Sequence, residues 1–286
     1  MAYVGHNDNM PARLRVMLQR GDCLMAPGAY SPFVVPLIEE AGFPLVYATG
    51  LGAAASVAGY PDVGLLTQSE MVNHVRYIVQ RASIPVIADA DTGYGGPINA
   101  ARTITEYEDA GVAGLHVEDQ TWPKRCGHLA DKSVIPVEEM VEKIDAMVNA
   151  RRNDAFVIFA RSDAIAVEGF EAAVERGHRY LEAGADGLFF DALRTSEQIA
   201  TVGRTFHVPL ILNMSLSGLT PSITPAEAEP LGYRVMLFAG APIMMAHASL
   251  RRYLRTLHET GSHESLRSDI TPLKEFLGSL NVDHYL

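Results

Sequence analysis

One pattern recurs along this chain and restricts its folding more than any other: a helical stretch, then Ala-Gly, then an apolar run that ends in a polar residue. It appears as Glu39-Glu40-Ala41-Gly42 before Leu45-Val46-Tyr47, as Glu108-Asp109-Ala110-Gly111 before Leu115-His116-Val117-Glu118, and as Leu181-Glu182-Ala183-Gly184 before Leu188-Phe189-Phe190-Asp191. Leu24-Met25-Ala26-Pro27, Val86-Ile87-Ala88-Asp89, Val157-Ile158-Phe159-Ala160, Leu210-Ile211-Leu212-Asn213 and Val235-Met236-Leu237-Phe238 fill the remaining slots between helical segments, making eight strand candidates. Apolar runs without in-out alternation imply burial on both faces, as in a parallel sheet covered by helices. Eight of them fit a closed (β/α)8 TIM barrel better than an open doubly wound sheet, which stands as the alternative.

The flanks read differently. Residues 1–12, rich in Asn, Asp and Gly, suggest a loose arm ahead of a helix over Arg13 to Arg20, stopped by Gly21. No Pro- or Ser-rich linker or charge block divides the 286 residues, so one domain spanning 1–286 is expected, with a helical extension over about 257–286. There Gly261-Ser262-His263 breaks a long helix, and Thr271-Pro272 starts another with Leu273, Phe276, Leu277 and Leu280 on one face. An apolar helix left over after barrel closure needs a surface to cover, and a neighbouring subunit is the expected one. A net charge of −11, with basic doublets only at Arg151-Arg152 and Arg251-Arg252, argues against nucleic acid as a partner. Two cysteines, no charged-then-apolar start over Met1 to Met10 and no membrane-length apolar run point to a reduced, cytoplasmic protein without a membrane partner.

In such a barrel, polar residues just past each strand share one mouth. Here they are Thr49, Asp89, Asp91, Glu118, Asp119, Arg161, Asp163, Asp191 and Asn213, six carboxylates around one arginine. So many like charges in one cleft repel strongly unless a hard divalent cation joins them. Asp89 and Asp91, with Gly93, Gly95 and Gly96 behind them, can face one ion, and Glu118 comes from the adjoining strand. Oxygen-only ligands favour Mg²⁺ or Mn²⁺ over zinc. Asp163 and Asp119 are better read as helix caps or as partners of Arg161 and Lys124. Past Glu118 comes Lys124-Arg125-Cys126-Gly127-His128, where neighbouring cations favour the thiolate of Cys126; the plainer reading of Cys126 is a small buried filler.

Other motifs carry less. Gly50-Leu51-Gly52-Ala53-Ala54-Ala55 with Glu70 imitates a dinucleotide fingerprint, but Thr67-Gln68-Ser69-Glu70 is better explained as a helix capping box. His258 and His263 have the wrong spacing for a helical zinc pair and read as a helix end. Trp122 is expected to pack the base of its loop, and Met244-Met245 to belong to the core.

Three stretches together resemble the isocitrate lyase/phosphoenolpyruvate mutase superfamily, in its methylisocitrate lyase-like branch: Lys124 to His128, Asp89-Ala90-Asp91-Thr92-Gly93-Tyr94-Gly95, and Tyr47-Ala48-Thr49-Gly50 followed by Gly59-Tyr60-Pro61-Asp62. The resemblance covers roughly residues 10 to 245. It implies a Mg²⁺-dependent barrel, a mobile lid carrying the cysteine, and homotetramers that exchange a C-terminal helix. It also implies Asp89 as direct metal ligand, with Asp62, Asp91 and Glu118 acting through water. Thr49, Gly50 and Leu51 would grip an α-oxo carboxylate through their amides, together with Arg161, and Gly127, Asn213 and Asp191 would complete the substrate site. Cys126 would be the acid/base assisted by Lys124 and His128, with Tyr47 and Arg161 also catalytic.

The implied reaction is carbon–carbon cleavage of a 2-hydroxy acid, an alkyl-malate or methylisocitrate-like compound, to pyruvate or glyoxylate and a second acid. Departures from the family pattern bear on the substrate. Asp191 stands where a glutamate is usual, Asn213-Met214-Ser215-Leu216-Ser217-Gly218 replaces an Asn-x-x-Glu-Gly-Gly-like run, and the stretch after the eighth strand, Phe238-Ala239-Gly240-Ala241-Pro242-Ile243-Met244, lacks the arginine the family places there. Leu216, Leu219, Phe238 and Met244 suggest an apolar far pocket for a smaller or more alkylated acid. Oxaloacetate hydrolysis or decarboxylation, phosphonopyruvate-type P–C chemistry, and a catalytically silent oxo-acid-binding barrel are the competing readings.

Overall fold

The computed structural model describes residues 9–127, 131–215 and 220–286; His128, Leu216 and Leu219 lie outside them. The strands are β1 (Leu24–Ala29), β2 (Val46–Ala48), β3 (Val86–Asp89), β4 (Gly114–Glu118), β5 (Val157–Ser162), β6 (Gly187–Phe190), β7 (Leu210–Asn213) and β8 (Tyr233–Phe238). They pair in chain order as a closed barrel, and β8 returns to β1 in parallel through Leu24↔Val235 to Pro27↔Phe238. This is a (β/α)8 TIM barrel, and the open sheet is excluded. The helices are α1 (Met10–Gln19), α2 (Val34–Glu40), α3 (Gly50–Ala53), α4 (Gln68–Arg81), α5 (Pro97–Ala110), α6 (Val137–Ala150), α7 (Phe170–Glu182), α8 (Ser196–Thr205), α9 (Pro225–Ala228), α10 (Ala241–Thr260), α11 (Leu273–Ser279) and α12 (Val282–Tyr285).

The Ala-Gly repeat has a local cause. Gly111 ends α5 with φ 88°, and its N–H donates to Glu108 O at 2.9 Å. Gly42 and Gly184 adopt the same left-handed conformation in their repeats, which turns the chain from helix into strand at little steric cost. Thr67 and Glu70 form the expected capping box at the start of α4, and Gly261 closes α10 in the left-handed conformation.

Along each strand alternate residues enter two different cores. Leu45, Tyr47, Ile87, Val157, Phe159, Phe189, Ile211, Val235 and Leu237 fill the barrel interior. Val46, Ala48, Val86, Ala88, Leu115, Val117, Ile158, Ala160, Leu188, Phe190, Leu210 and Leu212 pack outward against the helices. Helix α1 plugs the N-terminal end, burying Leu14, Met17 and Leu18 with the interior set. It begins at Met10, inside the expected arm, because Pro11 suits a first helical turn, where its missing N–H costs nothing.

Helix α10 runs through the expected start of the extension at 257 and buries none of its residues. Met244 and Met245 are not core: they are 46% and 65% exposed. Leu250 and Leu254 of α10, and Leu273 and Phe276 around α11, are exposed as well. Among the described residues, no helix is long and apolar enough to cross a membrane.

Candidate active site

At the C-terminal mouth lies a cavity of about 220 Å³. Of the residues expected at the site, Tyr47, Thr49, Leu51, Asp62, Asp89, Cys126, Gly127, Arg161, Asp191 and Asn213 line it. Gly50, Asp91, Glu118 and Lys124 do not line it but contact residues around it. Strand parity explains the selection: Ile87 and Asp89 share a face of β3, and Phe159 and Arg161 share a face of β5, so the interior run of each strand ends in the cavity.

The same parity overturns one expectation. Asp119 follows Glu118 and therefore faces out of the barrel. It accepts hydrogen bonds from Ser162 Oγ (2.8 Å), the Asp163 N–H (2.8 Å) and Tyr180 Oη (2.7 Å), and lies 3.4 Å from Arg176 Nη1. Its partners are thus on α7 and the β5 rim, not Arg161 or Lys124. Five of the six strand-end carboxylates remain on the inner side, joined there by Asp62, and two lysines accompany Arg161.

Lys124 pairs with Asp62 and lies 2.9 Å from Asp91 Oδ1. Burial opposes its charge, but Asp91, Asp62, Glu118 and Asp89 outweigh that and hold its pKa well above the ordinary lysine value. A charged ammonium so engaged anchors the cysteine-bearing stretch to the acids. The second lysine, Lys132, carries no motif that would single it out. Its Nζ donates to Gly127 O (2.7 Å) and Asp163 Oδ1 (2.8 Å) and sits 3.6 Å from Asp191 Oδ2.

Arg161 donates from Nε and Nη2 to the two oxygens of Asp163, at 2.8 and 3.1 Å, and its Nη1 is 3.2 Å from Glu118 Oε2. That arrangement leaves one N–H of Nη1 for an anion, while Nη2 also faces Asp191 Oδ2 at 3.6 Å, and the guanidinium lies 5.0 Å above the Phe189 ring. Burial drives the Glu118 carboxyl well above the usual carboxylate range, only partly offset by Arg161. Asp89 behaves oppositely: burial alone would raise it, but His116, Lys124 and Arg161 hold it down at about 2. His116, another residue without a sequence signal, lies at 2.8 Å from Tyr47 Oη, and burial lowers its pKa to about 4. Tyr47 Oη also lies 3.2 Å from Asp89 Oδ2, and the Gly50 N–H reaches that oxygen at 3.3 Å.

These residues suit a hard divalent cation. The donors are carboxylate oxygens, and Glu118 Oε1 is buried without a hydrogen-bond partner. A dense ready-made cage of three or more acid, imidazole or thiol groups is absent among the described residues. That is compatible with a Mg²⁺-type ion, which keeps several waters and takes one or two carboxylates directly.

The far wall is apolar, as expected, though partly through other residues. Leu237, Ala239, Gly240 and Met244 line it with Leu51, whereas Phe238 points outward and packs against the outer core. Parity again decides, because Val235 and Leu237 face inward. Trp122 packs on Gly64 and edge-on to Tyr94, at the base of its loop as expected.

The model of the phosphoenolpyruvate phosphomutase family matches residues 14–258. The 2,3-dimethylmalate lyase of Eubacterium barkeri is 44% identical over 238 residues, which are 83% of this chain and 82% of that protein. The 2-methylisocitrate lyase of Aeropyrum pernix is 42% identical over 275 residues, 95% of this chain and 87% of that one. Oxaloacetate acetylhydrolase in complex with 3,3-difluorooxalacetate superposes with a TM-score of 0.92 at 35% identity, covering 98% of this chain and 96% of the other. Phosphonopyruvate hydrolase in complex with oxalate and Mg²⁺ superposes with a TM-score of 0.87 at 30% identity, covering 96% of each chain. The chain belongs to the phosphoenolpyruvate phosphomutase family and is a lyase of the phosphoenolpyruvate mutase/isocitrate lyase superfamily.

Proposed function

We propose that the protein is a Mg²⁺-dependent carbon–carbon lyase that cleaves an alkylated malate or related 2-hydroxy acid to a 2-oxo acid, pyruvate or glyoxylate, and a second carboxylic acid. One observation carries this reading: Asp89, Arg161 and Cys126 line one cavity whose opposite wall is apolar. Asp89 would hold the metal directly, with Asp62, Asp91 and Glu118 acting through water, and Mg²⁺, or Mn²⁺ in its place, would supply Lewis-acid stabilisation of developing negative charge.

The chain's own groups divide the rest of the work. Arg161 and the amides of Thr49, Gly50 and Leu51 bind the carboxylate of the oxo-acid half. Tyr47 Oη takes the proton of the substrate hydroxyl while its own proton moves to the neutral His116 Nε2. The C2–O bond becomes a carbonyl as the C2–C3 bond breaks, and its electron pair passes to C3 and the attached carboxylate. Cys126 Sγ–H then delivers a proton to C3. Lys124 and His128 assist Cys126, and Gly127, Asn213 and Asp191 enclose the substrate. With no cation among the described residues of the far wall, Leu237, Ala239 and Met244 favour alkyl groups over a third carboxylate.

The test is Mg²⁺-dependent release of pyruvate or glyoxylate from a panel of alkylmalates and methylisocitrate, with Cys126→Ser as control. The parent should turn over an alkylmalate, and the variant should lose about 10²- to 10⁴-fold in kcat. Preference for the tricarboxylate would refute the far-wall argument, and oxalate plus acetate formed from oxaloacetate would favour a hydrolase, a reading motivated by the likeness to oxaloacetate acetylhydrolase. Turnover by no panel member would favour a silent binding barrel. The exposed apolar residues of α10 and α11 support a homotetramer with exchanged C-terminal helices, testable by sedimentation, in a cytoplasmic enzyme.

A further inference from the structure

Cys126 is bracketed by Arg125 and Gly127, and each of these is held by a buried side chain that does not line the cavity. Gln120, 1% exposed, uses its amide like a second peptide group. Its Nε2 donates to Arg125 O at 2.8 Å, and its Oε1 accepts from the Arg125 N–H at 3.0 Å. Gln120 is itself fixed, because it forms an antiparallel bridge with Val134 flanked by Thr121 N to Ser133 O and Ile135 N to Asp119 O, each at 2.9 Å. On the other side Lys132, with a side chain 1% exposed, ties Gly127 O to Asp163 Oδ1.

We propose that Gln120 and Lys132 are positioning residues that seat Cys126 over the cavity, and that Lys132 additionally sets the charge around Arg161. The first half follows from geometry: a backbone clasped at the residues before and after Cys126 has little freedom left to move its thiol. The second follows from counting charges. Asp163 and Asp191 flank Arg161, and Asp191 Oδ2 is 3.6 Å from both Arg161 Nη2 and Lys132 Nζ. With Glu118 also 3.2 Å from Nη1, three carboxylates face one guanidinium and would repel an incoming carboxylate, and the ammonium of Lys132 offsets one of those charges.

Gln120 provides only the clasp, while Lys132 provides clasp and charge, so the two separate experimentally. The catalytic part of this inference rests on Cys126 being the acid of the proposed cleavage; its reactivity as a thiol does not. Iodoacetamide alkylation of the intact full-length protein, followed by mass spectrometry, reads the seating directly, with buried Cys23 as internal reference. Loss of the hydrogen bonds that hold such a half-buried stretch in place amounts to about tenfold in its opening equilibrium. Gln120→Leu and Lys132→Met should therefore each speed alkylation of Cys126 about tenfold while Cys23 stays inert.

In steady state Gln120→Leu should lower kcat with KM kept, and Lys132→Met should lower kcat and raise KM. Lys132→Arg, which keeps a cation and a donor, should retain the slow alkylation and the parent KM. Unchanged Cys126 reactivity in Gln120→Leu and Lys132→Met overturns the proposal, as does simultaneous labelling of Cys23, which would mean that the barrel as a whole had loosened. Should Lys132→Met not fold, Gln120→Leu and Lys132→Arg decide alone. Faster alkylation in a protein that cleaves no member of the substrate panel would keep the positioning role and sink the lyase reading instead.

Discussion

Gly127→Ala puts the geometry of the site to a quantitative test. A Cβ built on Gly127 would lie 2.0 Å from Asp191 Oδ2 and 2.6 Å from Arg161 Nη2. Non-bonded heavy atoms settle at about 3.5–4.0 Å, so the methyl group demands an opening of about 1.5 Å. Neither neighbour yields easily: Asp191 is 1% exposed, and Arg161 is held by both oxygens of Asp163. Overpacking of this kind costs about 1–3 kcal/mol. The cost falls on the seated position of the Cys126 stretch and not on the barrel, so it becomes a loss of about 5- to 150-fold in kcat/KM. Thermal unfolding should shift little, since the stretch yields by lifting off Asp191 while the packing of the barrel is untouched. The assay is kcat/KM for the best substrate of the panel alongside a melting curve. A variant within twofold of the parent would mean that Gly127 does not pack against Asp191 in the working enzyme.

Two further expectations concern stability. Asp119→Ala strips three buried donors and the Arg176 guanidinium of a common acceptor, and denaturant titration should show a loss of about 3–5 kcal/mol. No effect would mean that the α7 side of β4 tolerates an empty acceptor site. His74, 8% exposed with an unpartnered Nε2, has its pKa lowered by burial. Because its folded pKa lies below its unfolded value, the unfolded chain binds the proton more tightly, and stability falls as pH drops through about 6.5 toward the folded pKa. His74→Phe should flatten that part of the pH–stability curve, and an identical curve would reassign the acid loss to another group.

Much of the architecture was legible in local residue order. The apolar runs Val86–Asp89 and Leu210–Asn213 coincide with β3 and β7, since a strand covered on both faces must be apolar throughout. The capping box at Thr67 and the left-handed glycines after each helix are equally local, because their hydrogen bonds close within a few residues. The placement of Asp89 and Arg161 at one cavity followed from the barrel rule that strand ends share a mouth, and that of Cys126 from the resemblance carried by Lys124 to His128.

Residue order was silent on which face of each strand looks inward. When both faces are apolar, nothing in Leu115-His116-Val117-Glu118-Asp119 says that Glu118 enters the site while Asp119 joins Arg176 and Tyr180 outside; the closure of the barrel settles it, for Asp119 as for Leu237 over Phe238. Partners distant along the chain were hidden for the same reason. Lys124 meets Asp62, Lys132 meets Asp163 and Asp191, and His116 meets Tyr47. Each pairing depends on strands brought together around a ring, and a linear pattern carries short-range periodicity but not the distances across it.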